Sequence, residues 1–332
     1  METYRALWVT ETSEGKFERT VCDLPAHQIP DKGTWIKVRY SALNFKDGLS
    51  ASGHKGITRK FPHTPGVDAV GTVVRCADGQ FQEGDVVLVT GYDLGMNTYG
   101  GFGQLISVPS EWVIPMPAGM SELEAIVLGT AGFTAALGLY QMELNGQNPE
   151  KGALVVSGAS GGVGSMAVTI FASAGYEVIA STGKLHESDY LKSLGATSII
   201  SREEMLGHET RPMISTRWAG GLDTVGGKTL ESMLRATGLY GNVAVCGLVD
   251  TPEFSTTVYP LIIRGVNILG VASAETEKSI RLKVWEKLAG PWKPKTLDLI
   301  HQKTIGFDEL NASLDDILGG RTRGRVVLDL WK

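Results

Sequence analysis

The stretch Ala153-Leu154-Val155-Val156-Ser157-Gly158-Ala159-Ser160-Gly161-Gly162-Val163-Gly164-Ser165 decides the fold. Residues 153–157 form a nearly unbroken apolar run, as in a strand covered on both faces of a parallel sheet. A glycine turn follows, and residues 165–174 are small and apolar on helical spacing until Gly175 stops them. Residues 177–180 then begin a second strand. Such a junction suits a pyrophosphate, because the first N–H groups of a helix lack partners and carry partial positive charge. Gly161 lets backbone approach a phosphate, and Gly164 lets the helix pack on the strand. The first glycine of the usual G-x-G-x-x-G is Ala159 here.

Working outward, the strand–helix alternation continues. Residues 190–196 read as a helix and its glycine stop, and 198–201, 222–225, 242–246 and 267–270 read as strands. That is a doubly wound parallel sheet. The first third is different: residues 35–40 alternate apolar and polar, and 67–74, 85–90 and 105–108 repeat the theme between Gly and Pro. Short, closely spaced strands predict a small barrel or sandwich. Ser121 heads a helix with acids in its first turn. Beyond about residue 275 come helices at 278–288 and 307–318 and a strand at 325–330, which is expected to return to the first domain.

Composition excludes several classes. The 332 residues include 31 basic and 36 acidic ones, a net charge of −5, which disfavours nucleic-acid binding through a basic face. No window of about 18 uninterrupted apolar residues occurs, so no membrane span is expected. The N-terminus shows no secretory signal, and three scattered cysteines fit a reducing compartment, so the expected location is cytoplasmic.

Charge also addresses the dinucleotide. A site selective for NAD places Asp or Glu at the end of the second strand, about 20 residues on, to bind the ribose hydroxyls. Here that place holds Ser181-Thr182-Gly183-Lys184, without a carboxylate, and Arg202 follows the third strand. Hydroxyls, amides and cations suit a 2′-phosphate, so NADPH is the expected cofactor.

Together with Asn44-Phe45-Lys46-Asp47, Pro65-Gly66-Val67-Asp68, Gly71-Thr72-Val73 and residues 129–135 (Gly-Thr-Ala-Gly-Phe-Thr-Ala), this order of parts resembles the medium-chain dehydrogenase/reductase superfamily across the chain. The resemblance implies an α/β fold: a GroES-like β-rich catalytic domain with an inserted Rossmann domain. Its expected parts are residues 1–124, 125–274 and 275–332. Zinc-dependent members hold their metal with thiolates and an imidazole. The matching positions are Asn44, Val67 and Ala131, which cannot ligate zinc, so no metal is expected. Zinc-free members reduce an activated C=C or a quinone ring.

Closer likeness is to the YhdH/YhfP branch, which includes acrylyl-CoA reductases. It rests on residues 40–47 (Tyr-Ser-Ala-Leu-Asn-Phe-Lys-Asp), the 157–165 turn, Tyr190-Leu191-Lys192-Ser193-Leu194-Gly195-Ala196, Asp223-Thr224-Val225-Gly226, Cys246-Gly247-Leu248 and Gly324-Arg325. It implies cofactor contacts at Phe45, Ser160, Gly161, Gly162, Val163, Thr182, Gly183, Lys184, Arg202, Leu248, Ile262 and Ser273. The reaction so implied delivers hydride from NADPH to the β-carbon of an enoyl thioester such as acrylyl-CoA. An enolate oxygen then needs hydrogen-bond donors and the α-carbon a proton. Asn44 and Tyr99 are the candidate catalytic residues, with water as an alternative proton source. Lys55, Arg59, Lys60 and Arg264 are candidates for a basic rim toward CoA phosphates, and Asp47 and Asp68 read as loop caps. Two other readings stay open: a quinone or general enone reductase, and a non-catalytic, zeta-crystallin-like RNA-binding protein. A homodimer is expected, with the apolar stretch 258–274 supplying an edge strand.

Overall fold

A computed structural model describes residues 2–208 and 211–332. The chain forms two compact units. The first comprises the chain up to Thr130 with Ala274–Lys283 and His301–Lys332; the second comprises Ala131–Ser273 and Val284–Ile300.

The second unit is built on the quoted stretch. Leu154–Val156 lies at the centre of a six-stranded sheet. On one side follow Val178–Thr182 and Ser198–Ser201, on the other Trp218–Asp223, Thr237–Val245 and Asn267–Gly270. Every neighbouring pair is parallel. In chain order the strands run 3-2-1-4-5-6, the doubly wound order that brings a dinucleotide to the carboxyl ends of the strands where the order reverses. Val155, Leu230, Met233 and Val243 pack its core. The segment from Val284 anchors here too: Trp285 stacks on Phe133 at 6.3 Å and Thr296 hydrogen-bonds Thr169 at 2.7 Å. Among the described residues Asn267–Gly270 pairs on one side only, and Ile268 on this edge strand is exposed.

The first unit is β-rich. Thr34–Ala42 is its central strand and pairs antiparallel with Asp68–Cys76, Leu105–Val108 and Arg325–Asp329. The last strand thus closes against residues nearly three hundred positions earlier. Val86–Thr90 and Ile114–Pro115 extend one side and His301–Ile305 the other. A separate hairpin, Thr3–Glu11 with Phe17–Pro25, completes the layer. Val38, Val87, Phe102, Ile106, Val326 and Leu328 meet in the core.

Glu122–Leu144 is the one described helix long and apolar enough to cross a membrane, yet 78 % of its apolar window is buried, as in a core helix. It is two helices joined at Gly129, whose φ of 47° and ψ of −152° a side chain would oppose.

Candidate active site

In the second unit the turn is shaped from behind. Gly158 takes φ +58°, so the first turn glycine sits one residue before the position the motif suggested. Ser157 Oγ donates to Asp223 Oδ1 at 2.6 Å and accepts from Thr224 N at 2.8 Å. Asp223 also accepts from Gly226 N at 2.8 Å, so one fully buried carboxyl organises two adjoining loops. Burial raises its pKa, while Ser157 and the Gly226 and Val225 amides pull the other way. The helix Gly162–Ser173 begins behind Gly161, and no side chain caps it. Its first N–H groups are therefore available to an anion.

Beside the turn, Ser160 Oγ meets Thr182 Oγ1 at 3.0 Å, and Lys184 N donates to Thr182 Oγ1 at 3.0 Å. Ser201 pairs in register with Thr182 across the parallel strands. It also caps the Arg202–Leu206 helix by accepting from Glu204 N at 3.0 Å, and Glu204 Oε2 returns to Ser201 N at 2.6 Å. Arg202 is thereby fixed as the first helical residue beside Thr182 and Gly183. The neighbouring Glu203 carboxyl is held below its usual range by its own backbone amide and Ser201, with a smaller pull from Arg202. Leu248 and Ile262 are exposed (65 % and 72 %), and Ser273 Oγ accepts from Thr134 Oγ1 at 2.8 Å.

In the first unit, Asn44 caps the Phe45–Ala51 helix, and Phe45 itself is exposed. Asn44 N donates to Asp47 Oδ2 at 2.8 Å, and Asn44 Nδ2 donates to Asp68 Oδ2 at 2.8 Å and to Ala42 O at 3.1 Å. Arg325 Nη2 donates to Asn44 Oδ1 at 3.1 Å and lies 3.7 Å from Asp68 Oδ2. Thr130 gives Asp68 Oδ1 two further bonds, from N at 2.8 Å and Oγ1 at 2.6 Å. Both amide hydrogens of Asn44 are thus engaged within the protein. What it can offer a ligand is a lone pair on Oδ1, not a donated hydrogen bond.

Asp47, Asp68 and Arg325 are essentially fully buried. Burial, then the Asp68 charge, pushes the Asp47 carboxyl up to about 7. Burial also raises Asp68, opposed chiefly by Arg325. Asp47 lies in the first turn of the Phe45–Ala51 helix, where it closes the cap on Asn44 N and accepts from Val67 N at 2.9 Å, while Asp68 lies in a strand and is the hub of this cluster; neither is a loop residue. Arg325, a mark of the family likeness with no site role assigned from sequence, stands out there as a lone charge opening the apolar run Arg325-Val326-Val327-Leu328.

Tyr99 sits apart from that hub in an aromatic group, edge-on to Trp8 at 5.3 Å and 6.0 Å from His63. Burial raises its phenol and lowers the His63 imidazole to about 4, so at neutral pH one keeps its proton and the other is uncharged. Arg264 is withdrawn from the basic rim. Its guanidinium is spent on three carbonyls, of Ile214, Thr237 and Arg235. Lys55 is tied to Glu11 at 2.6 Å over the rings of Phe17 and Phe61.

Residues 30–118 match the alcohol dehydrogenase GroES-like domain and 162–289 the zinc-binding dehydrogenase domain. YhfP of Bacillus subtilis, which carries a quinone-oxidoreductase name, is 43 % identical over 92 % of this chain and 93 % of its own. The chain belongs to the medium-chain dehydrogenase/reductase family, in its YhdH/YhfP branch. The crystal structure of YhfP with NAD bound superposes on this family member with a TM-score of 0.97, covering 99 % of this chain and all of the other. Acrylyl-CoA reductase AcuI of Ruegeria pomeroyi is 39 % identical over 98 % of this chain and 99 % of its own. The yhdH oxidoreductase from Salmonella enterica in complex with NADP has a TM-score of 0.94 at 38 % identity, covering 98 % and 99 %.

The family's zinc does not fit this member's residues. Val67 and Ala131 bring no donor atom, and the Asn44 amide is engaged in hydrogen bonds. The Arg325 cation beside Asn44 and Asp68 would repel a second one. Among the described residues no group of three or more His, Cys, Asp or Glu is placed to hold a metal.

Proposed function

We propose that the protein is a zinc-independent, NADPH-dependent reductase of an activated C=C bond, with acrylyl-CoA or a related enoyl thioester as acceptor. The observation that carries the cofactor choice is the acid-free end of the Val178–Thr182 strand, with Arg202 seated against Gly183. When bound, the reduced nicotinamide supplies the hydride.

The chain's residues do the rest. The N–H groups at the start of the Gly162–Ser173 helix hold the pyrophosphate, and Thr182, Lys184 and Arg202 hold the 2′-phosphate. Asn44 presents its Oδ1 in an orientation fixed by Arg325, Asp68 and Asp47. Tyr99 packs edge-on to Trp8 against the N-terminal hairpin, apart from the Asn44 cluster, so this reading takes the proton for the developing enolate from water. The likeness to AcuI over nearly the whole chain supports the thioester, while the name carried by YhfP favours a quinone.

The acceptors separate in one assay. NADPH oxidation is followed with acrylyl-CoA, crotonyl-CoA and a benzoquinone in parallel. The thioester reading expects acrylyl-CoA to give a kcat/KM at least about tenfold above the quinone, roughly 1.4 kcal/mol in the barrier. Reduction of the quinone alone would overturn it.

A further inference from the structure

Gly183 stands in a backbone conformation open to other residues, since its φ is not positive. What a side chain here would meet is Arg202. A Cβ at position 183 would lie 3.0 Å from Arg202 Nη2, 3.4 Å from Cζ and 3.6 Å from Nε. The guanidinium therefore packs directly against the space the missing side chain leaves. Around that space the other parts are fixed. Thr182 Oγ1 is held by Lys184 N and Ser160, and the Ser201–Glu204 capping box sets where Arg202 leaves the backbone. Only the far end of the Arg202 side chain is free to give way.

We propose that Gly183 is a specificity-determining residue: by having no side chain it seats the Arg202 guanidinium over the strand end, where a 2′-phosphate is recognised. This rests on the NADPH reading above and adds a steric cause to it. An alanine asks the guanidinium to shift by only tenths of an ångström. Valine places its γ-carbons in the seat and evicts it.

The test measures dissociation constants for NADPH and NADH with the parent protein, Arg202→Ala, Gly183→Ala, Gly183→Val and the double variant Arg202→Ala/Gly183→Val. A charge-assisted contact to phosphate is worth about 10- to 100-fold in affinity. Gly183→Val is expected to move the NADPH/NADH affinity ratio toward NADH by about that factor, matching Arg202→Ala within a few-fold, with Gly183→Ala between. In the double variant valine should add almost nothing, because the two changes remove one interaction. Should Arg202→Ala collapse the ratio while Gly183→Val leaves it at the parent value, the gate is wrong and the cofactor reading stands. An unchanged ratio in Arg202→Ala removes the cofactor reading, and the gate with it. Equal loss of both dinucleotides in Gly183→Val would also overturn the gate, since its effect would then not run through Arg202.

Discussion

Gly164→Val is expected to abolish dinucleotide binding. A Cβ at position 164 would stand 2.2 Å from the carbonyl oxygen of Gly158 and 2.8 Å from the Cα of Ala159. Both are backbone atoms, so no flexible side chain can move aside, unlike the case at Gly183. The helix must lift from the strand end, and the N–H groups of residues 162–164 lose their common aim. Strain of this kind in a packed interior costs about 1–3 kcal/mol, and the lost anion contacts add to it. NADPH affinity should fall more than about a hundredfold, or nearly 3 kcal/mol, in a fluorescence titration. Binding within about threefold of the parent, under 1 kcal/mol, would mean that the glycine turn does not hold the dinucleotide.

The second large effect lies in the other unit. Arg325→Met keeps the volume but removes the cation that faces Asp68 and Asn44. Breaking a buried pair by deleting one partner costs about 3–5 kcal/mol, because the remaining charge stays buried. The melting transition of the first unit should drop by roughly 10 °C, at about 2–4 °C per kcal/mol.

The loss also depends on pH, and its sign follows from Asp47 and Asp68. Both carboxyls have raised pKa values when folded, so between about pH 4 and 7 the native state binds more protons than the unfolded chain. Stability contributed by these groups therefore falls as pH rises through that window. Removing Arg325 removes the strongest pull opposing the rise at Asp68, so the variant should lose more at pH 8 than at pH 5. Melting curves at the two pH values decide it. A variant as stable as the parent, or one more strongly destabilised at pH 5, would contradict the pairing.

Much of the fold is legible in the sequence. The parallel sheet was readable because each strand is a short apolar run punctuated by glycine; 198–201 and 267–270 were placed to the residue. The Phe307–Leu318 helix was equally clear from its period. The N-terminal hairpin was not, since Phe17–Pro25 mixes charges with apolar residues and shows little regular burial. The Glu122–Leu144 run reads as one helix because sequence does not show that Gly129 is left-handed.

The glycine turn and the acid-free end of the second strand were legible because each is a contiguous stretch of the chain. The Asn44–Asp68–Arg325 cluster was not. Its members lie 24 and 257 positions apart, and local spacing carries no sign that a strand near residue 325 pairs with one near residue 42. The role of Asn44 changed for the same reason: a neighbour far off in sequence takes up the groups it would have offered a substrate.

Calorimetric titration of the purified protein with NADPH and with NADH tests the central claim most directly. A site closed by Arg202 and lacking a strand-end acid predicts NADPH binding at least about tenfold tighter, roughly 1.4 kcal/mol. NADH binding as tightly as NADPH, or more tightly, would contradict it.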